Sequence, residues 1–185
     1  MKVRETPIPG VLVLEPKRHG DSRGFFFESW NRKTLAEHGI VIDFVQDNMS
    51  FSAEAGTLRG LHYQAPPHAQ TKLVSCLQGR LLDVVVDARR GSPTYRQSFG
   101  IDLSFENGLQ LLVPKGLLHG FVTRMPDTVI AYKVDDHYSL DCDGAVHWNS
   151  CGVDWGLTTD PVLSEKDAKA VHFDAFHSPF SWETT

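Results

Sequence analysis

The chain has 185 residues, with 18 Lys and Arg against 23 Asp and Glu, so its formal net charge is −5. This length suits one domain with a sizeable core, and 41% hydrophobic with 22% charged residues exclude wholesale disorder. No apolar run approaches the ~20 residues of a membrane span, and the acidic balance disfavours nucleic acid as a partner. The first residues are charged and proline-punctuated, without the apolar core of a signal peptide. We therefore expect a cytoplasmic protein with a single domain over residues 1–185.

Short apolar runs separated by Gly, Pro and Asp dominate the chain and predict strands rather than helices. Their close spacing is typical of an antiparallel sandwich or a closed barrel. A short helix is predicted over 31–38, and a capping box at Ser164 to Asp167 predicts the start of a second. The three cysteines form no CxxC pair, which argues against a disulfide framework or a thiolate zinc site. The predicted strands are 10–14, 24–30, 43–46, 57–63, 73–77, 81–87, 97–103, 109–113, 121–124 and 129–134.

The clearest strand lies at 81–88. Leu82, Val84 and Val86 share one face, while Asp83 and Asp87 share the other. This period-two pattern predicts a half-buried strand with its carboxylates on the polar face. We therefore predict an all-β jelly-roll or barrel domain.

Residues 58–64 (Leu-Arg-Gly-Leu-His-Tyr-Gln) carry the most unusual side chains of any predicted strand. Strict alternation places Arg59 and His62 on opposite faces. Both can serve one site if Gly60 forms a bulge, or if Arg59 acts from the rim or across a dimer. A lone histidine in a strand is most often structural, and Lys72, at a strand start, is most often a solvated edge residue.

A second motif runs from Gly108 to His119, where a strand enters a Pro-x-Gly turn. It resembles the second conserved motif of the cupin superfamily, G-x5-P-x-G-x2-H. Metal-binding cupins carry H-x-H in their first motif, whereas this chain has His62-Tyr63-Gln64. Three or four suitable ligands are needed for a first-row metal site, so we predict a cupin fold without a metal. Tyr132, on an apolar strand face, is by itself most simply structural.

The chain resembles the dTDP-4-dehydrorhamnose 3,5-epimerases, metal-free cupin-fold enzymes of nucleotide-sugar biosynthesis, along nearly its whole length. This resemblance implies an all-β cupin-type jelly-roll barrel with a few short helices, mainly at the C-terminus. It implies no cofactor, no membrane association and a homodimer that exchanges strands. It rests on the segments 20–29, 44–48, 58–64, 69–74, 113–121, 132–134 and 163–167.

The resemblance also implies residue roles. His62 corresponds to the general base, Asp167 to the carboxylate that orients it, and Tyr132 to the acid that returns a proton. Lys72 corresponds to the cation that stabilises an enolate. Asp143 stands where the family pattern has Glu, and the stretch 148–155 also departs from that pattern. Substrate-binding positions, in addition to Lys72, correspond to Arg23, Glu28, Gln46, Asp47, Asn48, Arg59, His119, Asp143 and Lys166, with Arg23 and Arg59 on the diphosphate.

The implied activity is epimerisation at carbons 3 and 5 of dTDP-4-dehydro-6-deoxy-D-glucose to dTDP-4-dehydro-L-rhamnose, in dTDP-rhamnose biosynthesis for lipopolysaccharide or cell-wall polysaccharide. Three alternatives remain open from the sequence. One is a mono-epimerase at carbon 3 or 5 of a dTDP-4-keto sugar in an antibiotic deoxysugar pathway. Another is a non-catalytic cupin that binds a nucleotide sugar. The last is a metal-dependent cupin isomerase or dioxygenase.

Overall fold

A computed structural model describes residues 1–182, and strands dominate it. Two short α-helices, α1 (Arg32–Ala36) and α2 (Glu165–Ala168), and two 3₁₀ turns complete the described elements. No helix within residues 1–182 is long and apolar enough to cross a membrane. The strands are β1 Lys2–Glu5, β2 Leu12–Glu15, β3 His19–Asp21, β4 Gly24–Phe26, β5 Gln46–Ser52, β6 Leu58–Gln64, β7 Lys72–Gln78, β8 Arg80–Asp87, β9 Ser98–Ser104, β10 Gln110–Val113, β11 Leu117–Thr123, β12 Thr128–Val134 and β13 Asp143–Ala145.

Two antiparallel sheets enclose the core. The first has the order β1-β2-β10-β7-β12-β5, and the second has the order β13-β6-β11-β8-β9. Val74 and Ile130 from the first sheet pack with Leu81, Val85 and Phe121 from the second in one buried cluster. The predicted all-β cupin-type jelly roll with a few short helices is confirmed. Of the four helical turns, α2 and the two 3₁₀ turns lie in the last third of the chain.

The prediction of a polar outer face for β8 is wrong. Asp83 and Asp87 are fully buried, because their face of β8 lines the space between the sheets. The opposite face is buried as well, since the C-terminal residues Phe173, Phe176 and Phe180 cover it. Alternation along β8 is real, but both of its faces are enclosed.

Two predicted strands are misplaced. The predicted strand 24–30 ends early as β4, which pairs with β3 in an exposed hairpin (19–26). The prediction 43–46 ends where β5 begins. β5 was missed because its pattern is inverted: Asn48 pairs with Tyr132 of β12 on the inner face, while Met49 and Phe51 are exposed on the outer face.

Both predicted helices form, but they are short. The Asn31 side chain caps α1 by accepting from the Lys33 N–H at 3.0 Å and the Thr34 N–H at 3.3 Å. Gly39 follows with a φ of +76°, the left-handed conformation that ends a helix without strain in glycine. Ser164 caps α2 by accepting from the Asp167 N–H at 3.1 Å. The cap of α2 therefore fixes the position of an acidic side chain that faces β6.

Candidate active site

A histidine and an aspartate form a close pair where β6 lies beside α2. His62 Nε2 lies 2.5 Å from Asp167 Oδ1. The Asp167 side chain is 2% exposed, whereas the His62 side chain is 32% exposed and lines a cavity. Because the carboxylate occupies Nε2, the other ring nitrogen, Nδ1, is the one that can take a proton from a ligand. This is the arrangement of a general base with an orienting carboxylate.

Asp167 retains its charge in spite of its burial. Burial alone would raise the pKa of Asp167, but hydrogen bonds with His62, Ser164 and the backbone of Gly60 lower it below its ordinary value. Ser164 Oγ donates to Asp167 Oδ2 at 2.7 Å, so both carboxylate oxygens have partners. The predicted capping box thus becomes a support for the histidine.

A bulge in β6 brings Arg59 and His62 to the same face. Between the cross-strand pairs that these two residues make with β11, β6 has one residue more than its partner. Gly60 has a φ of +120°, and a Cβ there would lie 2.6 Å from the Cα of Gly120. Only glycine fits this backbone, because a side chain would be strained and would collide with the neighbouring strand. The bulge, one of the arrangements considered from the sequence, is confirmed.

Lys72 and Tyr132 approach the cavity from the facing sheet. Lys72 begins β7, and its Nζ lies 6.0 Å from the centroid of the Tyr132 ring on β12. His62 belongs to the second sheet, so it and Tyr132 lie on opposite sides of the cavity. The cavity has a volume of about 130 Å³. It is lined by Gln46, Asn48, His62, Tyr63, Gln64, Gln70, Lys72, Tyr132, Tyr138 and Asp143.

Burial sets the protonation of both side chains on the facing sheet. It lowers the pKa of Lys72 to about 8, although the negative charges of Asp83 and Asp143 act to raise it. Burial raises the pKa of Tyr132, although the nearby Arg59 acts to lower it. At neutral pH the cavity therefore holds a lysine cation beside a protonated phenol, one suited to stabilising an anion and the other to donating a proton.

Asp143, Lys166 and Tyr138 form a polar rim around the cavity. Lys166, next to Asp167 in α2, forms an ion pair with Asp143 of β13. The Tyr138 hydroxyl donates to Asp143 Oδ2 at 3.4 Å, and its backbone N–H donates to Gln46 Oε1 at 3.1 Å. The rim thus combines a cation with an aromatic ring, the groups that bind a phosphate and a base.

A second histidine–aspartate pair lies beside the first. His119 of β11 is the cross-strand partner of His62, and its Nε2 lies 2.7 Å from Asp83 Oδ1. Both His119 and Asp83 are buried. His119, a predicted binding residue, is therefore beside the cavity, and its carboxylate partner comes from the face of β8 that the sequence assigned to solvent.

Three predicted binding residues lie elsewhere in this chain. Arg23 is exposed on the β3–β4 hairpin, where it forms an ion pair with Asp21 at 2.5 Å. Glu28 lies before α1 and accepts from Asn31 Nδ2 at 2.8 Å. Asp47 projects from the outer face of β5 and pairs with Lys133 at 2.9 Å. The structure therefore does not bring these three residues to the cavity of their own chain.

The sequence reasoning missed five residues at or beside the cavity: Tyr63, Gln64, Gln70, Asp83 and Tyr138. Gln64 follows His62 by two positions, the signal that could have placed it on the same face. It accepts from the Ser139 N–H at 2.9 Å and donates to the His137 carbonyl at 3.0 Å, so it supports the loop that carries Tyr138. Gln70 donates to the Asp136 carbonyl at 2.9 Å. Tyr138 lies in a polar loop, and Asp83 lies on the strand face that the sequence assigned to solvent. Neither residue therefore had a signal that pointed to the cavity.

No cluster of three or more His, Cys, Asp or Glu side chains among residues 1–182 has an arrangement that could hold a metal ion. The two histidines nearest the cavity each bond to an aspartate through Nε2. The absence of a metal or cofactor remains a prediction.

Comparison with known proteins identifies the family. The family model described as dTDP-4-dehydrorhamnose 3,5-epimerase matches residues 5–175. The chain belongs to this family. As a dTDP-4-dehydrorhamnose 3,5-epimerase family member it is an isomerase, which removes the alternative of a cupin that only binds a nucleotide sugar. It is 48% identical to the dTDP-4-dehydrorhamnose 3,5-epimerase of Salmonella typhimurium, over 94% of this chain and 96% of that protein.

Solved structures of the family are similar to this epimerase over almost all of its length. The Bacillus anthracis dTDP-4-dehydrorhamnose 3,5-epimerase, crystallised with TDP and PPi, is 50% identical with a TM-score of 0.91, covering 93% of this chain and 99% of that one. The Legionella pneumophila dTDP-6-deoxy-D-glucose-3,5-epimerase, in complex with dTDP-4-keto-L-rhamnose, is 40% identical with a TM-score of 0.94, covering 99% of each chain.

Proposed function

We propose that this epimerase inverts carbons 3 and 5 of dTDP-4-dehydro-6-deoxy-D-glucose and so forms dTDP-4-dehydro-L-rhamnose. The observation that supports this reaction best is the placement of His62 and Tyr132 on facing sheets, on two sides of one cavity. A hexose ring bound between them presents one face to a base and the other to an acid. Removal of a proton from one face and delivery of a proton to the other inverts the carbon.

The proposed chemistry consists of proton transfers alone. His62 Nδ1 takes the proton from carbon 3 or carbon 5, both of which adjoin the 4-keto carbon. The electron pair of the broken C–H bond moves into the carbonyl and forms an enolate, whose oxygen the Lys72 ammonium stabilises. The Tyr132 hydroxyl then gives its proton to the opposite face of that carbon, and the carbonyl forms again. Solvent finally takes the proton from His62 and reprotonates Tyr132.

Asp167 supports this cycle through His62. Its carboxylate, 2.5 Å from Nε2, fixes the orientation of the ring and stabilises the imidazolium that forms when Nδ1 is protonated. Because the pKa of Asp167 is held below its ordinary value, the carboxylate stays charged throughout the cycle. The pair therefore supplies both the base and the compensating charge.

We propose that Arg59, His119, Asp143 and Lys166 bind the substrate together with the inward-facing Gln46 and Asn48, some of them at the nucleotide and some at the sugar. Arg23 and Glu28 would serve the partner's site in a homodimer that exchanges strands. The exposed Phe26 and Met49 support such an interface, since exposed apolar side chains often mark contacts between subunits. Light scattering that gave the mass of one chain would contradict the dimer. We expect the enzyme to act in the cytoplasm.

The experiment that tests the reaction is proton NMR of the dTDP-4-keto sugar in heavy water with the enzyme, without added metal or nicotinamide. Double epimerisation predicts deuterium at both carbon 3 and carbon 5. Exchange with inversion at one carbon only would instead establish the mono-epimerase alternative. No exchange at either carbon would overturn the proposal.

Tyr132→Phe separates the base from the acid. The ring keeps its shape but loses its proton, so exchange at the carbon next to the ketone should continue while inversion falls by about 10²-fold or more. The ratio of deuterium incorporation to inverted product measures this difference. If the product has unchanged stereochemistry and is formed at the wild-type rate, Tyr132 is not the acid.

A further inference from the structure

The buried pair of Asp83 and His119 takes no part in the proton transfers proposed above. Asp83 Oδ1 lies 2.7 Å from His119 Nε2, and both side chains are enclosed between the sheets. His119 on β11 is the cross-strand partner of His62 on β6, and Asp83 on β8 is the cross-strand partner of Phe121, two residues after His119. The pair therefore lies beside His62, on the same side of the cavity.

Asp83 Oδ2 has an unusual environment for a carboxylate oxygen. It is buried, and it has no hydrogen-bond partner among residues 1–182. A carboxylate charge enclosed between two sheets is screened far less than one in water, so it acts on charged groups nearby.

Lys72 is the neighbour on which this charge acts. No carboxylate of residues 1–182 lies within 4.0 Å of its Nζ, so direct ion pairing does not hold its proton. Burial lowers the pKa of Lys72 to about 8, and among the charges that raise it Asp83 comes before Asp143. The titratable groups that line the cavity with Lys72 are His62, Tyr63, Tyr132, Tyr138 and Asp143. The charges of Asp83 and Lys166 also act on Lys72, and His119 lies next to Asp83.

We propose that Asp83 is a positioning residue of this epimerase: one carboxylate oxygen holds His119 in place, and the other supplies the negative charge that keeps Lys72 a cation beside the enolate. The inference rests on the enolate role proposed for Lys72. Asp83 does not contact the sugar. It acts at a distance, so the Lys72 ammonium stays unpaired and available to an oxygen that becomes negative only during the reaction.

The charge on Asp83 has a direct consequence for Lys72. A nearby anion favours the protonated lysine, so removing the anion lowers the pH at which Lys72 loses its proton. Above that pH, the fraction of enzyme with a cation at the enolate falls about tenfold for each further pH unit. The alkaline limb of kcat therefore moves to lower pH together with the Lys72 titration.

The test compares two variants of the Asp83–His119 pair, one that removes the carboxylate charge and one that keeps it. Asp83→Asn removes the charge but leaves an oxygen that can accept from His119. His119→Gln removes the imidazole but leaves the Asp83 charge. The Lys72 titration midpoint is measured in each enzyme without substrate, from the ¹³C NMR chemical shift of the Lys72 ε-carbon as the pH is varied. This signal is assigned as the one that is missing from Lys72→Met. Asp102→Asn, at an exposed ion pair on β9, serves as a distant control.

We expect the Lys72 midpoint to fall clearly below about 8 in Asp83→Asn, to stay at or above its wild-type value in His119→Gln, and to be unchanged in Asp102→Asn. The alkaline limb of kcat should follow the midpoint in Asp83→Asn, while KM at lower pH stays near wild type. An unshifted midpoint in Asp83→Asn overturns the proposal, as does an equal fall in His119→Gln. If Asp83→Asn does not fold, a Lys72 midpoint in His119→Gln that falls below the wild-type value overturns the proposal. Since the titration uses no substrate, its outcome is independent of the reaction assigned to the enzyme.

Discussion

Two histidine–aspartate pairs lie side by side in this epimerase and differ in their access to solvent. His62 Nε2 lies 2.5 Å from Asp167, and His119 Nε2 lies 2.7 Å from Asp83. The His62 side chain is 32% exposed and lines the cavity, whereas that of His119 is 8% exposed. The same two residue types thus have different properties in the two pairs. The exposed pair can exchange protons with a ligand, whereas the buried pair holds a charge away from solvent.

The carboxylates explain the difference in role. Asp167 uses both oxygens, one on His62 and one on Ser164, so its charge is directed at the base. Asp83 uses one oxygen on His119 and leaves the other without a partner among the described residues, so part of its charge acts beyond its own pair. The two pairs contain the same residue types. Their different roles therefore follow from the number of partners that each carboxylate has and from the exposure of its histidine.

The largest expected effect separates the two histidines. His62→Asn removes the proposed base, and we expect kcat to fall by about 10³- to 10⁴-fold, with deuterium exchange lost at both carbons. His119→Gln leaves the base in place, so exchange should persist at both carbons at a reduced rate. Proton NMR in heavy water measures both variants. If His62→Asn exchanges as fast as His119→Gln, the assignment of the base to the exposed pair is wrong.

The sequence predicted one of these pairs, but not the other. Local signals drew attention to His62, because Gly60 and Arg59 interrupt an apolar strand, and to Asp167, because it completes a capping box. Only the family resemblance implied that these two residues act together. Asp83 was assigned to solvent, since alternation tells which residues share a face and not what covers it. That face is closed by strands of the opposite sheet, of which β10 and β12 are distant in sequence from β8, although β7 directly precedes it.

The inner face of β5 was missed for a related reason. Asn48 faces the cavity while Met49 and Phe51 are exposed, so the strand has its polar residues inside and its apolar residues outside. Hydrophobic patterning assumes the reverse. The pattern is inverted where the interior is a binding cavity and the exterior is a proposed subunit contact, so the failure of the rule coincides with the functional part of the fold.

The second-largest effect is expected at Gly60, in the bulge that brings Arg59 and His62 to the same face of β6. Gly60→Ala should lower the free energy of unfolding by about 3 kcal/mol or more, since the new Cβ combines a strained φ with a collision against Gly120. Gly56→Ala is the matched control: Gly56 also has a positive φ, +80°, but nothing lies within 4 Å of its added Cβ.

Urea denaturation of both variants measures the difference. We expect Gly56→Ala to lose about 1 kcal/mol, which is the backbone strain without the collision. Equal losses in the two variants would mean that the contact between β6 and β11 at the bulge is not as close as described. In Gly60→Ala the remaining activity should also fall, because a relaxed bulge separates Arg59 from His62.

The smallest expected effect tests the charge of the exposed pair through stability. The pKa of Asp167 is lowered in the folded protein, since hydrogen bonds with His62 and Ser164 outweigh the effect of burial. A lowered folded pKa stabilises the fold above the unfolded value of 3.8, and this contribution is lost as the pH falls through the folded pKa. Asp167→Asn should therefore cost about 1.5–3 kcal/mol of unfolding free energy at pH 7, and less as the pH falls below 3.8.

Urea unfolding of wild type and Asp167→Asn from pH 7 down to pH 3 gives this difference directly. Asp174→Asn serves as the control, because Asp174 is exposed in its ion pair with Arg96 and should show little difference at any pH. A difference for Asp167→Asn that stays constant with pH would mean that the carboxylate contributes through its shape alone. In that case the charge that compensates the His62 imidazolium would have to come from elsewhere in the cavity, with Asp143 at the rim and Asp83 behind it as the nearest candidates.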